Sequence, residues 1–327
     1  MSQLQQTPGS EFKLSPSLVR ELQAMLPSRL QLDVQLRQIT RWQIGGVADM
    51  VISPATINEL ALLLQWLHEK KVPYVMVGST SNLLFSDDGL RAVMIQLGYS
   101  FNEVTLNGSE LTAGAGIWVP SLARKAMQAG LTGLEHTCGI PGTLGGLIYM
   151  NGGSQRQGIG QSIKSVTSIN EKGEIFTRSK EQCNFTYRGS VYQEKNEIIV
   201  QAIMKLEKTC DKSSIRKDML HILQSRRRKF PSKQPNCGSV FVSNPAMYDD
   251  YGPPGKVIEQ SGFKGHRIGG AVVSDQHANF IVNENNAKAG DVIQLINKIR
   301  EKVYIDTGYE MAVEARFVDP LGKIENI

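Results

Sequence analysis

The spacing of hydrophobic residues predicts a helix followed by a buried strand in the first third of the chain. Residues 56–71 carry apolar side chains at helical spacing, and Thr56 and Glu59 occupy the positions of a capping box at their start. The next apolar run, residues 74–77, is short and ends at Gly78. This pattern is typical of a buried strand that leads directly into a loop.

Strand-like patterns dominate the middle of the chain. The predicted strands cover residues 92–97, 110–113, 165–169, 174–177 and 198–206. A helix predicted over residues 119–129 interrupts them, and Gly130 stands where glycine is favoured after a helix. Residues 171–173 have the composition of a hairpin turn. We therefore interpret this part of the chain as an α+β domain.

The composition changes after residue 209, and we place a domain boundary near residue 208. Beyond it, the pattern predicts helices over residues 214–228 and 290–304. A final strand is predicted over residues 311–318, where alternation places Glu314 beside Arg316 on the less apolar face. If Glu314 has no functional role, we expect it to be an ordinary carboxylate on the strand surface that pairs with Arg316.

Composition narrows the class of protein. Hydrophobic residues make up 41% and charged residues 20% of the 327 residues, which is typical of a globular protein of two or three domains. No apolar run approaches the roughly 20 residues that cross a bilayer. The start of the chain lacks the pattern of a secretory signal. We expect no membrane association, and we treat residues 1–12 as a disordered tail.

Charge and cysteine content exclude further classes. The net charge of +5 is most concentrated in residues 226–229, Arg-Arg-Arg-Lys, with no interleaved aromatic residues. A nucleic-acid partner is therefore not predicted, and the run is either a solvated helix face or a contact for a small anion. The four cysteines form no Cys-x-x-Cys pair and no cluster with histidine. We expect no metal site, and reduced thiols in a cytoplasm.

Two segments, residues 78–82 and 139–146, are rich in glycine and small polar residues, and residues 151–153 continue the second. Such loops expose backbone N–H groups and allow close approach of a pyrophosphate or a flat ring, although each alone could be a tight turn. Neither segment is a Rossmann G-x-G-x-x-G motif or a phosphate-binding G-K-[S/T] loop.

The order of motifs resembles that of the UDP-N-acetylenolpyruvoylglucosamine reductase (MurB) family of FAD enzymes over nearly the whole chain. The longest matching block runs from residue 133 to residue 151 and contains Gly-Ile-Pro-Gly-Thr-Leu-Gly-Gly. The other matching strings are Thr40 to Ala48, Gly78 to Leu84, Tyr187 to Ser190, Arg226 to Pro231, Cys237 to Phe241 with Asn244-Pro245, Gly265 to Gly270, and His277 to Phe280. A tyrosine-bearing insertion found in some members is absent, which resembles the shorter subtype of the family.

The resemblance implies an α+β fold with two domains. An FAD-binding domain of the vanillyl-alcohol-oxidase (PCMH) type would cover residues 13–208 in two lobes that divide near residue 98. An α+β substrate domain would cover residues 209–327, with its last strand returning to the flavin site. FAD would be bound noncovalently. The residues expected to bind it are Gly78, Ser79, Thr80, Ser81, Asn82, Gly139, Ile140, Pro141, Gly142, Thr143, Gly145, Gly146, Asn151, Gly153 and Ile198.

The first loop departs from the family pattern at Ser79 and Thr80, which replace glycine-rich positions. Their side chains could crowd the FAD pyrophosphate or donate hydrogen bonds to it. The string that begins at Asn151 also departs, since Asn-Gly-Gly-Ser replaces Asn-Ala-Gly-Ala-Tyr. We still expect FAD to bind.

Three residues match the family's catalytic positions. Arg188 would hold a substrate carboxylate as its charge grows, Ser239 would protonate C2, and Glu314 would lie near the developing enolate. Each has a plainer alternative, respectively an exposed turn arginine, a turn hydroxyl, and a strand-surface carboxylate. Glu314 is the weakest match because the family pattern Leu-Glu-x-Glu-Val is here Met-Ala-Val-Glu-Ala.

The implied substrate is UDP-N-acetylglucosamine enolpyruvate, reduced with NADPH to UDP-N-acetylmuramate by a monomeric cytoplasmic enzyme. Four residues match substrate-binding positions: Arg226, Lys229, Arg267 and His277. A structural role for His277 is an equal alternative. Two other functions remain open, namely another FAD oxidoreductase of the same superfamily and a non-catalytic protein that binds UDP-sugars.

Overall fold

The computed structural model describes residues 14–243 and 245–327. The predicted tail, residues 1–12, and Asn244 of the family motif lie outside the described residues.

The first lobe is a four-stranded sheet with helices on its surface. Its elements are α1 (Pro16–Met25), β1 (Leu30–Gln35), α2 (Leu36–Ile39), β2 (Val47–Ile52), α3 (Ile57–Lys70), β3 (Tyr74–Val77), β4 (Leu83–Phe85) and β5 (Leu90–Gln96). The sheet has the order β1-β2-β5-β3, and β5 runs parallel to both neighbours. The predicted helix and strand are confirmed: Thr56 caps α3 by accepting from the N–H of Glu59, and β3 leads into the loop at Gly78.

The second lobe is built on a five-stranded antiparallel sheet. Its elements are β6 (Val104–Asn107), β7 (Glu110–Gly114), α4 (Val119–Gln128), β8 (Leu131–Thr132), α5 (Leu144–Tyr149), β9 (Gly153–Ser154), β10 (Gln157–Gly158), β11 (Ile163–Asn170), β12 (Ile175–Ser179), β13 (Glu197–Lys205) and β14 (Glu207–Lys208). The order is β12-β11-β13-β7-β6. Gly130 follows α4 with φ 71°, as predicted, and Gly173 closes the β11–β12 hairpin with φ 78°.

The rest of the chain forms the C-terminal part. Its elements are α6 (Lys212–Lys229), α7 (Pro254–Gln260), β15 (Arg267–Ile268), β16 (Ala271–Val273), β17 (Ile281–Asn283), α8 (Ala289–Thr307), β18 (Arg316–Val318) and β19 (Ile324–Asn326). Short 3-10 turns cover Tyr99–Asn102, Glu135–Thr137, Ile159–Gln161, Val191–Gln193 and Pro245–Met247. Helix α6 packs on the second lobe, since Ile215, Met219 and Ile222 share a core with the sheet of that lobe. The domain boundary near residue 208 stays a prediction.

The predicted final strand is wrong in extent. Only Arg316–Val318 is a strand, and Val313 forms an isolated bridge with Phe241. The chain changes partner between these two points: the N–H of Glu314 donates to the carbonyl of Val240, and β18 then pairs in parallel with β4 of the first lobe. This change of partner brings Glu314 to the boundary between the C-terminal part and the first lobe.

The first lobe is docked on the C-terminal part by buried contacts. Trp42 is completely buried in the core of the C-terminal part, and its indole N–H donates to the carbonyl of Ile281 at 2.8 Å. The side-chain amide of Asn283 donates to the carbonyls of Trp42 and Gln43. The carboxylate of Asp87 accepts hydrogen bonds from the first two N–H groups of α8. The helix dipole favours a negative charge at this end of a helix. Within the described residues, no helix is long and apolar enough to cross a membrane.

Replacement of Trp42 by Phe is expected to lower the free energy of unfolding by about 1–3 kcal/mol, because the carbonyl of Ile281 stays buried without its donor. Urea unfolding measures the change. The control is Trp66→Phe, since the indole N–H of Trp66 meets Glu21 at the surface, and its loss should cost about 0.5 kcal/mol or less. Equal losses in the two variants would contradict the proposed docking contact.

Candidate active site

A cavity of about 1150 Å³ lies where the two lobes and the C-terminal part meet. Typical sites for one small ligand measure about 300–1,000 Å³, so this cavity is slightly larger than that range. Its wall contains Arg188, Ser239, Glu314 and Arg226, together with every predicted cofactor residue except Asn151. Lys229, Arg267 and His277 do not contribute to the wall.

The two glycine-rich loops face each other across the cavity. A side chain at residue 78 would collide with the hydroxyl of Thr143, and one at residue 142 would contact Ser81. The absence of these side chains keeps the backbones of both loops close together and exposed to the cavity. Because β3 delivers one loop and α5 follows the other, two separate lobes contribute to one binding surface.

The two unusual hydroxyls of the first loop behave differently. Thr80 lies in the left-handed region with φ 53°, and its buried hydroxyl accepts from the backbone N–H of Arg41 at 2.8 Å. The hydroxyl oxygen of Ser79 is buried and has no hydrogen-bond partner among the described residues. A buried hydroxyl without a partner is costly, so a ligand group that bonds to Ser79 would stabilise this loop.

Arg188 and Glu314 are brought together from distant parts of the chain. The Nε atom of Arg188 lies 2.9 Å from Oε1 of Glu314, and 29% and 14% of the two side chains are exposed. The N–H at Nε is buried and is not well aligned with any acceptor among the described residues. The terminal nitrogens of the guanidinium form no hydrogen bond among the described residues, and 29% of the side chain is exposed, so these nitrogens remain for a ligand carboxylate. Glu314 is paired mainly with Arg188, and the surface pair with Arg316 considered from the sequence is wrong.

The backbone at Arg188 is held in an uncommon conformation. Its φ is 57°, in a tight turn where Thr186 and Gly189 bond to each other through their backbones. The side-chain amide of Gln193 donates to the carbonyl of Arg188 at 2.9 Å. Non-glycine residues in this region cost free energy and persist where the surroundings hold them. The turn directs the guanidinium toward Glu314.

Burial dominates the titration of Glu314. Loss of solvent raises the pKa of this carboxyl above its ordinary value, and the nearby charges of Arg188 and Arg316 oppose the rise only in part. The thiol of the neighbouring Cys237 is fully buried, and its pKa is raised well above the usual range by the same loss of solvent. Glu314 can therefore hold a proton at a higher pH than an exposed carboxyl can.

Ser239 stands on a rigidly held segment of the C-terminal part. Three hydrogen bonds to Asn279 hold this segment. The side-chain amide of Asn279 accepts from the N–H of Phe241 and donates to the carbonyl of Phe241, and the backbone carbonyl of Asn279 accepts from the N–H of Val240. Gly238 precedes the serine with φ 89°, a conformation that side chains disfavour. The hydroxyl of Ser239 has no hydrogen-bond partner among the described residues, and it faces the cavity half-buried.

Arg226 contributes an unpaired positive charge. Its side chain passes so close to Gly139 that a Cβ there would collide with it, and its guanidinium lies 5.0 Å from the ring centre of Phe230. Burial lowers the pKa of Arg226, and within the described residues it forms no ion pair. A half-buried cation without a counter-ion at a cavity wall suits an anionic ligand.

The predicted residues outside the wall have other contacts. Asn151 supports the turn of Arg188, since its amide donates to the carbonyl of Thr186 and accepts from the N–H of Gly160. Arg267 pairs with Glu284. These contacts give no support to cofactor or substrate binding by either residue.

His277 packs in an aromatic cluster, and the aromatic contacts are consistent with the structural alternative. Its ring lies 5.3 Å from that of Phe230 and 5.2 Å from that of Phe280, and its Nδ1 accepts from the N–H of Asn279. Burial lowers its pKa, so the neutral ring is favoured. Lys229, at the end of α6, also lies outside the wall.

Four residues that line the cavity were not predicted as site residues from the sequence: Arg41, Tyr149, Asn236 and Arg316. Arg316 could have been found, because alternation places it on the same face as Glu314. The others lie in loops or on a short helix without a periodic signal. Several arginines thus surround a cavity that few acidic residues line.

The residues present fit FAD. The facing glycine-rich loops expose backbone N–H groups that suit a pyrophosphate, and the orphaned hydroxyl of Ser79 adds a donor at the same place. The family model described as an FAD binding domain matches residues 48–179. Fold and site together define an FAD-dependent oxidoreductase with a flavin domain of the vanillyl-alcohol-oxidase type.

Comparison with known proteins gives the particular family. A model described as the C-terminal domain of UDP-N-acetylenolpyruvoylglucosamine reductase matches residues 230–318. UDP-N-acetylenolpyruvoylglucosamine reductase 1 of Corynebacterium glutamicum is 42% identical over 310 residues, 95% of this chain and 92% of that protein. The reductase of Heliobacterium modesticaldum is 40% identical and covers 86% of this chain and 88% of its own length.

A solved structure agrees with these relatives. The crystal structure of the reductase (MurB) from Thermus caldophilus matches with a TM-score of 0.75 at 29% identity, over 88% of this chain and 99% of that one. The chain belongs to the UDP-N-acetylenolpyruvoylglucosamine reductase (MurB) family. The resemblance and the α+β fold that it implied are confirmed, while the roles of individual site residues stay predictions.

Ser79→Ala is expected to weaken FAD binding by the apoprotein about three- to thirtyfold, because one hydrogen bond to the cofactor would be lost. Quenching of flavin fluorescence during titration measures the dissociation constant. Ser86→Ala is the control, since the buried hydroxyl of Ser86 bonds to Asp88 outside the cavity. Unchanged affinity in Ser79→Ala would exclude a bond between this hydroxyl and FAD.

The raised pKa of Glu314 predicts a sign for the effect of pH on stability. Between 4.5 and the raised value, Glu314 binds more protons in the native protein than in the unfolded chain, so its contribution to the free energy of unfolding falls as pH rises. Glu314→Gln cannot titrate. The free energy of unfolding of this variant minus that of the wild type should therefore increase with pH across the window, as measured by urea unfolding. A constant or decreasing difference would contradict the prediction.

Proposed function

We propose that the protein reduces the enolpyruvyl group of UDP-N-acetylglucosamine enolpyruvate, giving UDP-N-acetylmuramate for peptidoglycan precursor synthesis. The proposal rests on family membership together with one observation: Arg188 and Glu314 form an ion pair in the wall of the cavity that also contains Ser239. When bound, FAD supplies the means of moving a hydride from NADPH to this substrate. The synthesis of cell-wall precursors links the protein to cell shape and cell division.

Arg188 would stabilise the charge that develops on the substrate. Addition of a hydride at C3 of the enolpyruvyl group drives negative charge through C2 toward the carboxylate. A partly exposed guanidinium whose terminal nitrogens have no partner among the described residues can bond to that carboxylate as the charge grows. The interaction is strengthened by the low solvent exposure of the site.

Glu314 would serve beside Arg188 as an acid or an orienting group. Its raised pKa favours the protonated form relative to an exposed carboxyl, and a protonated carboxyl can donate a hydrogen bond. Ser239 would deliver the proton to C2. A serine hydroxyl is a weak acid, so this role requires accurate placement, and the held segment around Ser239 supports it.

Arg226 would meet the diphosphate of the UDP group or of NADPH. Its guanidinium is half-buried, lies against Gly139 and Phe230, and has no counter-ion in the described part of the chain. We propose the same partners as the sequence predicted, with the protein acting as a monomer in the cytoplasm. Burial raises the pKa of the Cys138 thiol to about 11, which makes this thiol unreactive.

Purified protein should be yellow or take up FAD, and it should oxidise NADPH when UDP-N-acetylglucosamine enolpyruvate is present. An absorbance spectrum and an NADPH-oxidation assay measure the two properties. Colourless protein that takes up no FAD would contradict the reductase function. Bound FAD with oxygen turnover but no reaction with this substrate would indicate another oxidoreductase of the superfamily.

Ser239→Ala should leave flavin reduction by NADPH nearly unchanged but slow reoxidation by substrate about a hundredfold or more, because only the second half-reaction needs the proton. Anaerobic stopped-flow absorbance separates the two halves. Ser261→Ala, at the end of α7 and outside the cavity wall, is the control. Equal loss in both halves would mean that Ser239 has a structural role.

A further inference from the structure

The side chain of Asn82 connects the first glycine-rich loop to Glu314. Asn82 is the last residue before β4, and its amide donates to the backbone carbonyl of Glu314 at 3.0 Å. The carbonyl of Asn82 accepts from the N–H of Arg316, also at 3.0 Å. One residue of the loop is thus bonded to two backbone groups of the final segment, the carbonyl of Glu314 and the N–H of Arg316.

Glu314 is held on its other side by the segment that carries Ser239. Its N–H donates to the carbonyl of Val240 at 2.7 Å. Among the described residues, Asn82 supplies the one side-chain hydrogen bond to the backbone of Glu314. Glu314 therefore lies between the cofactor loop of the first lobe and the serine segment of the C-terminal part, at the place where the chain changes partner.

The length and chemistry of asparagine suit this contact. A carbonyl oxygen can only accept a hydrogen bond, so the partner must donate one. Aspartate has the same shape as asparagine, but its ionised form is an acceptor and would face the carbonyl of Glu314 unfavourably. Alanine lacks any donor. The backbone bond from Arg316 to Asn82 continues the pairing of β4 with β18 and does not depend on the side chain.

We propose that Asn82 is a positioning residue, whose side-chain amide fixes Glu314 relative to the loop that would hold the FAD pyrophosphate. The proposal rests on the function proposed above. In this arrangement, the loop that binds the cofactor and the acid that acts on the substrate are ordered together. Loss of the amide would remove one of the hydrogen bonds that hold the backbone of Glu314 and would let its carboxyl shift relative to Arg188 and Ser239, without removing any group that transfers a proton.

The test uses the FAD-loaded variants Asn82→Ala and Asn82→Asp. Displacement of a reacting group by about 1 Å can cost on the order of a hundredfold in rate, so we expect reoxidation by substrate to slow about ten- to a hundredfold at saturating FAD. Flavin reduction by NADPH should slow less than reoxidation, so that the ratio of the reoxidation rate to the reduction rate falls, because reduction does not use Glu314. Anaerobic stopped-flow measures both rates, and an FAD titration gives the affinity.

The pH profile of reoxidation gives a second readout. The groups that face the Glu314 carboxyl are Arg188, Arg316 and Cys237. If Glu314 moves relative to Arg188, the pH at which reoxidation changes should shift in Asn82→Ala, which adds no charge. A purely structural loss would lower the rate at every pH by the same factor.

Asn283→Asp is the matched control. The amide of Asn283 also donates from one part of the chain to backbone carbonyls of another, those of Trp42 and Gln43, but it lies outside the cavity wall. This variant should lose stability and keep the wild-type ratio of the two half-reactions. If it matches Asn82→Ala, the effect comes from general loosening of the docked parts and the proposal is overturned.

Two further outcomes would overturn the role of Asn82. Reoxidation that returns to the wild-type rate once FAD is saturating would show that Asn82 only holds the cofactor. Equal slowing of reduction and reoxidation would show a general effect on the flavin site. Failure of the reductase function itself is distinguishable, because the wild-type protein would then not be reoxidised by UDP-N-acetylglucosamine enolpyruvate.

Discussion

The desolvated contact between Arg188 and Glu314 sets the conditions for the rest of the site. Only 14% of the Glu314 side chain is exposed, and burial of a carboxyl is unfavourable unless a cation or a proton compensates it. Arg188 compensates the burial of Glu314 only in part, since the pKa of the Glu314 carboxyl is raised despite the neighbouring guanidinium. The pair therefore leaves a carboxyl that can keep a proton and a guanidinium with bonding capacity to spare.

Three parts of the chain must be fixed for this contact to exist. The left-handed turn at residue 188 belongs to the second lobe, the backbone of Glu314 is bonded to the C-terminal part and the first lobe, and Trp42 docks those two parts on each other. The glycine-rich loops lie in the same cavity, so the cofactor surface and the acid share one framework. Chemistry at this site depends on long-range packing as much as on the residues that line it.

Local periodicity predicted what local forces determine. Helix α3 with its Thr56 cap, the strands of the second lobe and the glycine after α4 all follow from short-range patterns. The final strand was predicted too long because its pattern could not show that the chain changes partner between residues 313 and 316. Local patterns could not supply the partner of Glu314 either, since Arg188 lies more than a hundred residues away, and only the family resemblance placed the two residues at one site. The roles of the two hydroxyls in the altered loop could not be predicted, because they depend on long-range contacts. The hydroxyl of Thr80 accepts from the N–H of Arg41, whereas that of Ser79 bonds to no described residue.

The central claim is that Arg188 and Glu314 act as one unit on the substrate. A double-mutant cycle on the rate of flavin reoxidation by UDP-N-acetylglucosamine enolpyruvate, with Arg188→Ala, Glu314→Ala and the double variant, tests it most directly. If the two residues act as one unit, the double variant should be hardly slower than the slower single variant, because either change disables the pair. If the two losses in rate multiply, Arg188 and Glu314 act independently.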